Sequence, residues 1–278
     1  MHTQARGQGA GGHGQRGGAR SEAEYRCRLC RTVGHWESFC PSRRGSGNAC
    51  FSFHCDDALF QFNESCFTRY NTGDTDATGF DSDYCCRRSV FQYNYSHDNE
   101  YGFMVVCSQP PNGFNDGTIV RNNISQNDSG NIFRFTGNIT NTEVYNNTIY
   151  IGPKMTNPVK GASPRIIYSK PWGGGWSDKL SFHDNVIINH STNTRYTEGK
   201  STNNEYSHNL FFGIHPETEP KDLTKLITNP LLVKPGGAKY GIASAIDAYS
   251  QRAEAPDVGA GAAFRFEAEK IGIIPVSK

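Results

Sequence analysis

The chain has 278 residues, with 28 Lys and Arg against 27 Asp and Glu, for a formal net charge of +1. Such balance gives the molecule as a whole no electrostatic reason to seek nucleic acid or an anionic membrane, and no apolar run of about 18 residues exists to span a bilayer. The apolar fraction of 36% is low for one large core, but it suits a repeat architecture that spends many residues on polar turns.

Residues 1–24 are Gly, Gln, Arg and Ala with little to bury, which predicts a disordered basic arm. The first thirty residues also lack the apolar stretch of a secretory signal. Composition breaks sharply along the chain. Residues 1–48 hold eight Arg and no Lys, while all eleven Lys lie at or after Lys154 and all nine Cys at or before Cys107. We therefore treat 1–55 as a separate arm. Within it, "CRLCRTVGHWESFCP" spaces Cys27, Cys30, His35 and Cys40 as C-x2-C-x4-H-x4-C. Three thiolates and an imidazole make the closed tetrahedral shell that structural zinc prefers. The segment resembles a zinc knuckle, which implies zinc and a single-stranded nucleic acid partner with Trp36 free to stack on a base. The competing reading is coincidence of spacing in an Arg/Gly-rich lead.

From residue 56 a repeat takes over. "DDALFQFN" (Asp56–Asn63) returns as "RRSVFQYN" (Arg87–Asn94), and looser copies follow. Aligned on the last residue, the anchors are Asn63, Asn94, Asn123, Asn147, Asn185 and Asn209. Three residues earlier stand Phe60, Phe91, Val120, Val144, Phe182 and Tyr206, all apolar or aromatic. A period between about 20 and 50 residues marks a solenoid. Short β-branched and aromatic runs alternate with Asn, Asp, Gly and Ser clusters, so the units read as strand and turn. "GFMVVCS", "NIFRFTG" and "RIIYSK" supply a further strand per unit. The anchor Asn accepts left-handed backbone angles and can hydrogen-bond from coil to coil as a ladder. The Asn-x-Ser/Thr sequences among these turns then arise without any need for glycosylation.

"FQYNYSHDNEYGFMVVC", "RNNISQND", "VYNNTIYIG" and "NPLLVKPGG…ASAIDA…PDVGA" resemble bacterial proteins of the pectate-lyase-like superfamily. The resemblance implies an all-β right-handed parallel β-helix over 56–261 followed by a tail, 262–278. It also implies a monomer in an extracellular or periplasmic setting with a polysaccharide ligand. Members that cleave uronic-acid polymers use β-elimination, which needs a cation to neutralise the substrate carboxylate and a base to take the proton.

Several residues suit that chemistry. Asp81 and Asp83 are two apart in a strand, so both project outward if Phe80 and Tyr84 point inward, and they could hold calcium or face solvent. Arg134 faces outward if Phe133 and Phe135 face in, within about 10 Å of that pair given the strand spacing. His97 is a candidate proton acceptor, with Asp98 and Glu100 beside it in a turn from which a groove loop could emerge. The longest interval contains "YSKPWGGGWSD", a flexible glycine loop between two candidate sugar platforms, Trp172 and Trp176, with Lys170 as candidate base or neutraliser. The six Cys after the arm read as buried small hydrophobes of unassigned pairing. The function expected is a carbohydrate-active solenoid that binds and cleaves an acidic polysaccharide. A non-catalytic carbohydrate-binding or surface solenoid and a nucleic-acid-binding protein using the knuckle are the rival readings.

Overall fold

The computed structural model describes residues 50–72, 76–252, 255–256 and 259–275. The arm, including Cys27, Cys30, His35 and Cys40, lies outside the described residues.

The chain winds into six coils, each laying one strand on each of three parallel sheets. The first sheet stacks Cys50–Ser52, Phe80–Ser82, Met104–Ser108, Asn131–Gly137, Arg165–Lys170 and Arg195–Thr197. The second contains Leu59–Gln61, Val90–Gln92, Ile119–Arg121, Ile139–Tyr145, Asp178–His183 and Glu205–Ser207, with two short strands beside them. The third stacks Glu64–Cys66, Tyr95–His97, Ile124–Gln126, Thr148–Ile151, Val186–Asn189 and Leu210–Gly213. This is a parallel β-helix, as expected. Its strands run from Cys50 to Gly213 and so stop well short of the expected boundary at 261.

The repeat pattern maps directly onto register. Phe60, Phe91, Val120, Val144, Phe182 and Tyr206 are consecutive partners across the second sheet and point into the core. Phe60 and Phe91 stack with ring centroids 4.6 Å apart. On the first sheet the inward column is Cys50, Phe80, Met104, Phe133, Ile167 and Tyr196.

The anchor asparagines form the predicted ladder, and all six are fully buried. The Oδ1 of Asn94 accepts from both the backbone N–H and the Nδ2 of Asn63, and the same pair of bonds repeats at Asn123, Asn147, Asn185 and Asn209. At the far end Asp222 Oδ2 takes the two donors of Asn209. One detail differs from expectation. The left-handed residue is the one before each anchor: Phe62, Tyr93, Asn122, Asn146, Asp184 and His208 have φ between 52° and 56°. The anchor itself supplies hydrogen bonds, and those bonds hold its neighbour in a conformation that costs a non-glycine residue about 1–2 kcal/mol.

A second, shorter ladder runs Thr68, Asn99, Asp128, in which Asn99 donates through N–H and Nδ2 to Asp128 Oδ1. Burial pushes the Asp128 carboxyl up to about 6, against the pull of Ser125, Ser96 and Asn99. A folded-state pKa above the unfolded value near 3.9 means stability is full below about pH 4 and falls as pH rises through 6. Relative to Asp128→Asn, the native chain should therefore lose roughly 2 kcal/mol between pH 4 and pH 7. Urea unfolding of both proteins at the two pH values measures this, and parallel pH dependence in the two would refute it.

Beyond Gly213 the chain turns back along the outer face of the third sheet. Two helices, α1 (Ile242–Tyr249) and α2 (Gly261–Lys270), cover that face. Tyr95, Ile124, Val186 and Leu210 on the sheet pack against Ile246, Tyr249 and Phe264. The return reaches the first coil, where Gly241 N–H donates to Glu64 Oε1 at 2.7 Å. The end of the segment assigned to the β-helix and the start of the tail after 261 thus carry two helices. No helix among the described residues is long and apolar enough to cross a membrane.

Candidate active site

With the third sheet covered by the return, the ionisable side chains gather on the outward side of the first sheet, where Asp81, Val105 and Arg134 are themselves buried. Its strands alternate, so with Phe80, Phe133 and Phe135 inward, Asp81 and Arg134 point outward as expected. One outward column reads Phe51, Asp81, Val105, Arg134, Tyr168 and Thr197; the next reads Cys107, Thr136 and Lys170.

Asp81, Asp83 and Cys107 converge, with one donor atom from each lying within 4.8 Å of the others. Cys107 Sγ–H donates to Asp83 Oδ1 at 3.0 Å and approaches Asp81 Oδ1 at 3.9 Å. Tyr84 N–H donates to the same Asp83 oxygen at 2.7 Å. Asp81 is only 2% exposed. Burial first, then the charges of Asp83 and Asp76, drives its carboxyl well above the ordinary range, and Arg134 offsets only part of that. Burial and both neighbouring aspartates likewise push the Cys107 thiol up, so it stays a protonated donor. Asp83 is partly exposed.

Cations close the other side of the site. Arg134 is 3% exposed, with Nη2 at 3.5 Å from Asp76 Oδ1 and its guanidinium 5.1 Å from the Tyr101 ring centroid. The Lys170 ammonium is destabilised by burial and by the charge of Arg134, which lowers its pKa.

Aromatic groups rim the cluster. Trp172 meets Tyr84 edge to face at 6.2 Å, and Phe53 lies 6.4 Å from Tyr84 on its other side. Tyr84 therefore points outward with Asp83, contrary to the inward orientation expected. The strand ends at Ser82, and Cys85 takes a left-handed φ of 59°, so the alternation lapses there. The loop expected to be flexible is a tight turn, closed by paired backbone hydrogen bonds between Trp172 and Gly175. Gly137 (φ 81°) has the Ser108 carbonyl where a Cβ would stand, and that close approach brings this corner against Trp172. Trp176 parts company with Trp172 and packs its ring on Gly199.

The structure does not bring His97, Asp98 and Glu100 to this face. His97 ends a strand of the third sheet, beneath the C-terminal cover, with Nε2 at 3.1 Å from Glu64 Oε1 and Nδ1 at 2.8 Å from Asp98 Oδ2. Burial works against its charge, but Asp98, Cys66 and Glu64 outweigh it and hold the imidazolium up to about 11. Both ring nitrogens are thereby engaged by carboxylates inside the protein. Glu100 bonds Tyr70 N–H and Arg69. All three contact groups of the third-sheet side and its turns rather than the Asp81 cluster.

The donor set also suits calcium poorly. Calcium takes six to eight oxygens, whereas Asp81 and Asp83 converge with a protonated thiol beside the Arg134 and Lys170 charges. Sequence reasoning missed Cys107, Asp76, Tyr101 and the orientation of Tyr84. For Cys107 the signal was present, since alternation from inward Met104 and Val106 sends it outward. A separate cleft of about 660 Å³, lined by Pro164, Arg195 and His215 among others, shares no residue with the cluster.

The fold and this cluster define the class, a parallel β-helix with a largely buried ionisable cluster on the outer side of one sheet. No protein-family profile matches the chain. A stretch of 148 residues is 30% identical to lacto-N-biosidase from Bifidobacterium longum subsp. longum, covering 52% of this chain and 8% of that protein. The chain thus spans a small part of the length of that relative.

Proposed function

We propose that the chain is a carbohydrate-active protein that binds a glycan along the outward face of the first sheet and hydrolyses a glycosidic bond there. The observation that carries this is the Asp81–Asp83 pair, two carboxyl groups in unlike environments within 4.8 Å. Where neighbouring carboxyls are pushed apart in pKa, one acts as acid and the other as nucleophile or base. Protonated Asp81 serves as proton donor to the leaving oxygen, and partly exposed Asp83 attacks the anomeric carbon. So short a separation fits the retaining class, in which the groups lie roughly 5 Å apart, rather than the inverting class at roughly 6.5–9.5 Å. The relationship to a protein named as a glycosidase supports hydrolysis. Trp172 and Tyr84 offer faces for sugar stacking. A glycan ligand also fits the extracellular or periplasmic setting implied by the resemblance.

A second reading, β-elimination of an acidic polysaccharide, is favoured by Lys170. Its destabilised ammonium makes it the most available amine base on this face, next to Arg134 as neutraliser of a substrate carboxylate. The two chemistries leave different products. Incubation with a panel of β-linked oligosaccharides and uronic-acid polymers should release reducing sugar of retained configuration, followed by proton NMR, without unsaturated-uronide absorbance. Appearance of that absorbance would shift the assignment to elimination, and no product across the panel would leave binding alone. A chelator should leave the rate unchanged, because the site's charges are already internally compensated.

A further inference from the structure

None of the six described cysteines is in a disulfide, and two of them have a geometry the proposed hydrolysis does not use. Cys55, in the first coil, and Cys86, in the second, precede the register partners Asp56 and Arg87. Their backbones are joined directly, since Arg87 N–H donates to Cys55 O at 3.2 Å. Their sulfurs lie 3.9 Å apart. Neighbouring parallel strands set equivalent Cα atoms about 4.8 Å apart, inside the 4.4–6.8 Å window that a disulfide requires. Cys85, adjacent in sequence, turns away and donates to Asn112 O at 3.7 Å.

We propose that Cys55 and Cys86 are a redox-active pair that closes into a disulfide, tying the first coil to the second. Cys86 is wholly buried and Cys55 is partly exposed, so reagents reach the pair through Cys55. The S–H···S contact eases loss of one proton from the pair, holding Cys86 down to about 6. The remaining proton stays on Cys55, whose thiol is pushed up by the Cys86 sulfur and by burial, so Cys86 is the thiolate and acts as base toward Cys55. The oxidant is a small disulfide such as glutathione disulfide. As the Cys86 thiolate takes its proton, the Cys55 sulfur attacks one sulfur of that disulfide, forming a mixed disulfide and releasing one thiolate, which then takes the proton from Cys86. Cys86 thiolate then attacks the Cys55 sulfur and releases the second thiol. Two protein thiols are oxidised, one external disulfide is reduced to two thiols, and the two protein protons end on those thiols.

The location gives the bond a consequence. In a solenoid each coil is held by its neighbours. Among the described residues the first coil has a neighbouring coil on one side only, so a cross-link to the second coil restrains its opening there.

The experiment equilibrates the full chain across glutathione redox buffers, quenches by acid and alkylation, and maps peptides with fragmentation that separates Cys85 from Cys86. The expected result is a Cys55–Cys86 linked peptide at poises where Cys50, Cys66 and Cys107 are still alkylated. The melting midpoint should rise on the order of 5 °C over the reduced chain. Cys86→Ser should arrest Cys55 at the glutathione mixed disulfide and abolish the rise. Retention of free Cys55, a stable mixed disulfide in the native chain, or linkage to Cys85 would each overturn the proposal.

Discussion

Asp83→Asn is expected to lower kcat on a cleavable glycan by roughly 10³-fold or more, with the melting midpoint nearly unchanged. The amide keeps an oxygen for the Tyr84 N–H and Cys107 S–H donors, so the loss would lie in chemistry rather than folding. Asp81→Asn should act differently. With Asp81 held protonated by burial, activity requires its proton and fails as pH rises through its raised pKa. Removing the group lowers the rate and should also flatten the alkaline limb of the pH–rate profile. Asp76→Asn is the control, since it touches Arg134 from the exposed side. If Asp76→Asn erases the alkaline limb while Asp81→Asn leaves it intact, the proton donor is Asp76. If Asp83→Asn retains most of the activity, the assignment of this face as the catalytic centre fails.

The other large effect concerns folding. Asn123→Ala should destabilise the chain by about 4 kcal/mol. Asn123 Oδ1 accepts the N–H and Nδ2 of Asn94, and its own Nδ2 donates to Phe91 O and Asn147 Oδ1. Truncation leaves several of these buried groups unpaired at about 1–3 kcal/mol each, partly relieved by relaxation. Asn123→Asp tests the direction of the ladder. It keeps the acceptor but sets a carboxylate against two acceptor oxygens, so it should be more harmful at pH 7 than at pH 4. At the end of the ladder an acid is suited, because Asp222 only accepts. Burial opposes its charge, but donors from Asn209 and Thr224 hold its pKa below the ordinary value. Its contribution is present above the unfolded pKa near 4 and is lost as pH falls. Chemical denaturation of both variants and the native chain across pH measures all of this, and a cost below about 1 kcal/mol for Asn123→Ala would deny the ladder its role.

The solenoid was legible in the sequence because two constraints recur at each coil. A corner needs an amide that both donates and accepts along the stack, and the strand before it needs an inward apolar group three residues earlier. Nothing comparable flags the C-terminal return. Its contacts are made once each, such as Gly241 with Glu64 or Phe264 with Phe62 and Tyr93, so no period announces them. The candidate site was legible in part for the same reason. Asp81 and Arg134 follow from alternation around buried phenylalanines, and Lys170 from its place beside the glycine turn of the longest interval. The placement of His97 was not legible because its surroundings come from Glu64 in another coil and Tyr240 in the cover, partners that sequence proximity cannot reveal. Asp76 and Tyr101 lie in loops whose path depends on neighbouring coils.

The C-terminal return has a mechanical meaning for so elongated an architecture. A stack with nearest-neighbour bonds alone can melt from either end, one layer at a time. Here a single segment is fastened to Asp184 through Gly259, to Thr148 through Ala260, to Gln126 through Ala238, and to Glu64 through Gly241. Like a splint laid along a column of coins, it obliges distant layers to part together, turning a zipper into something closer to a latch.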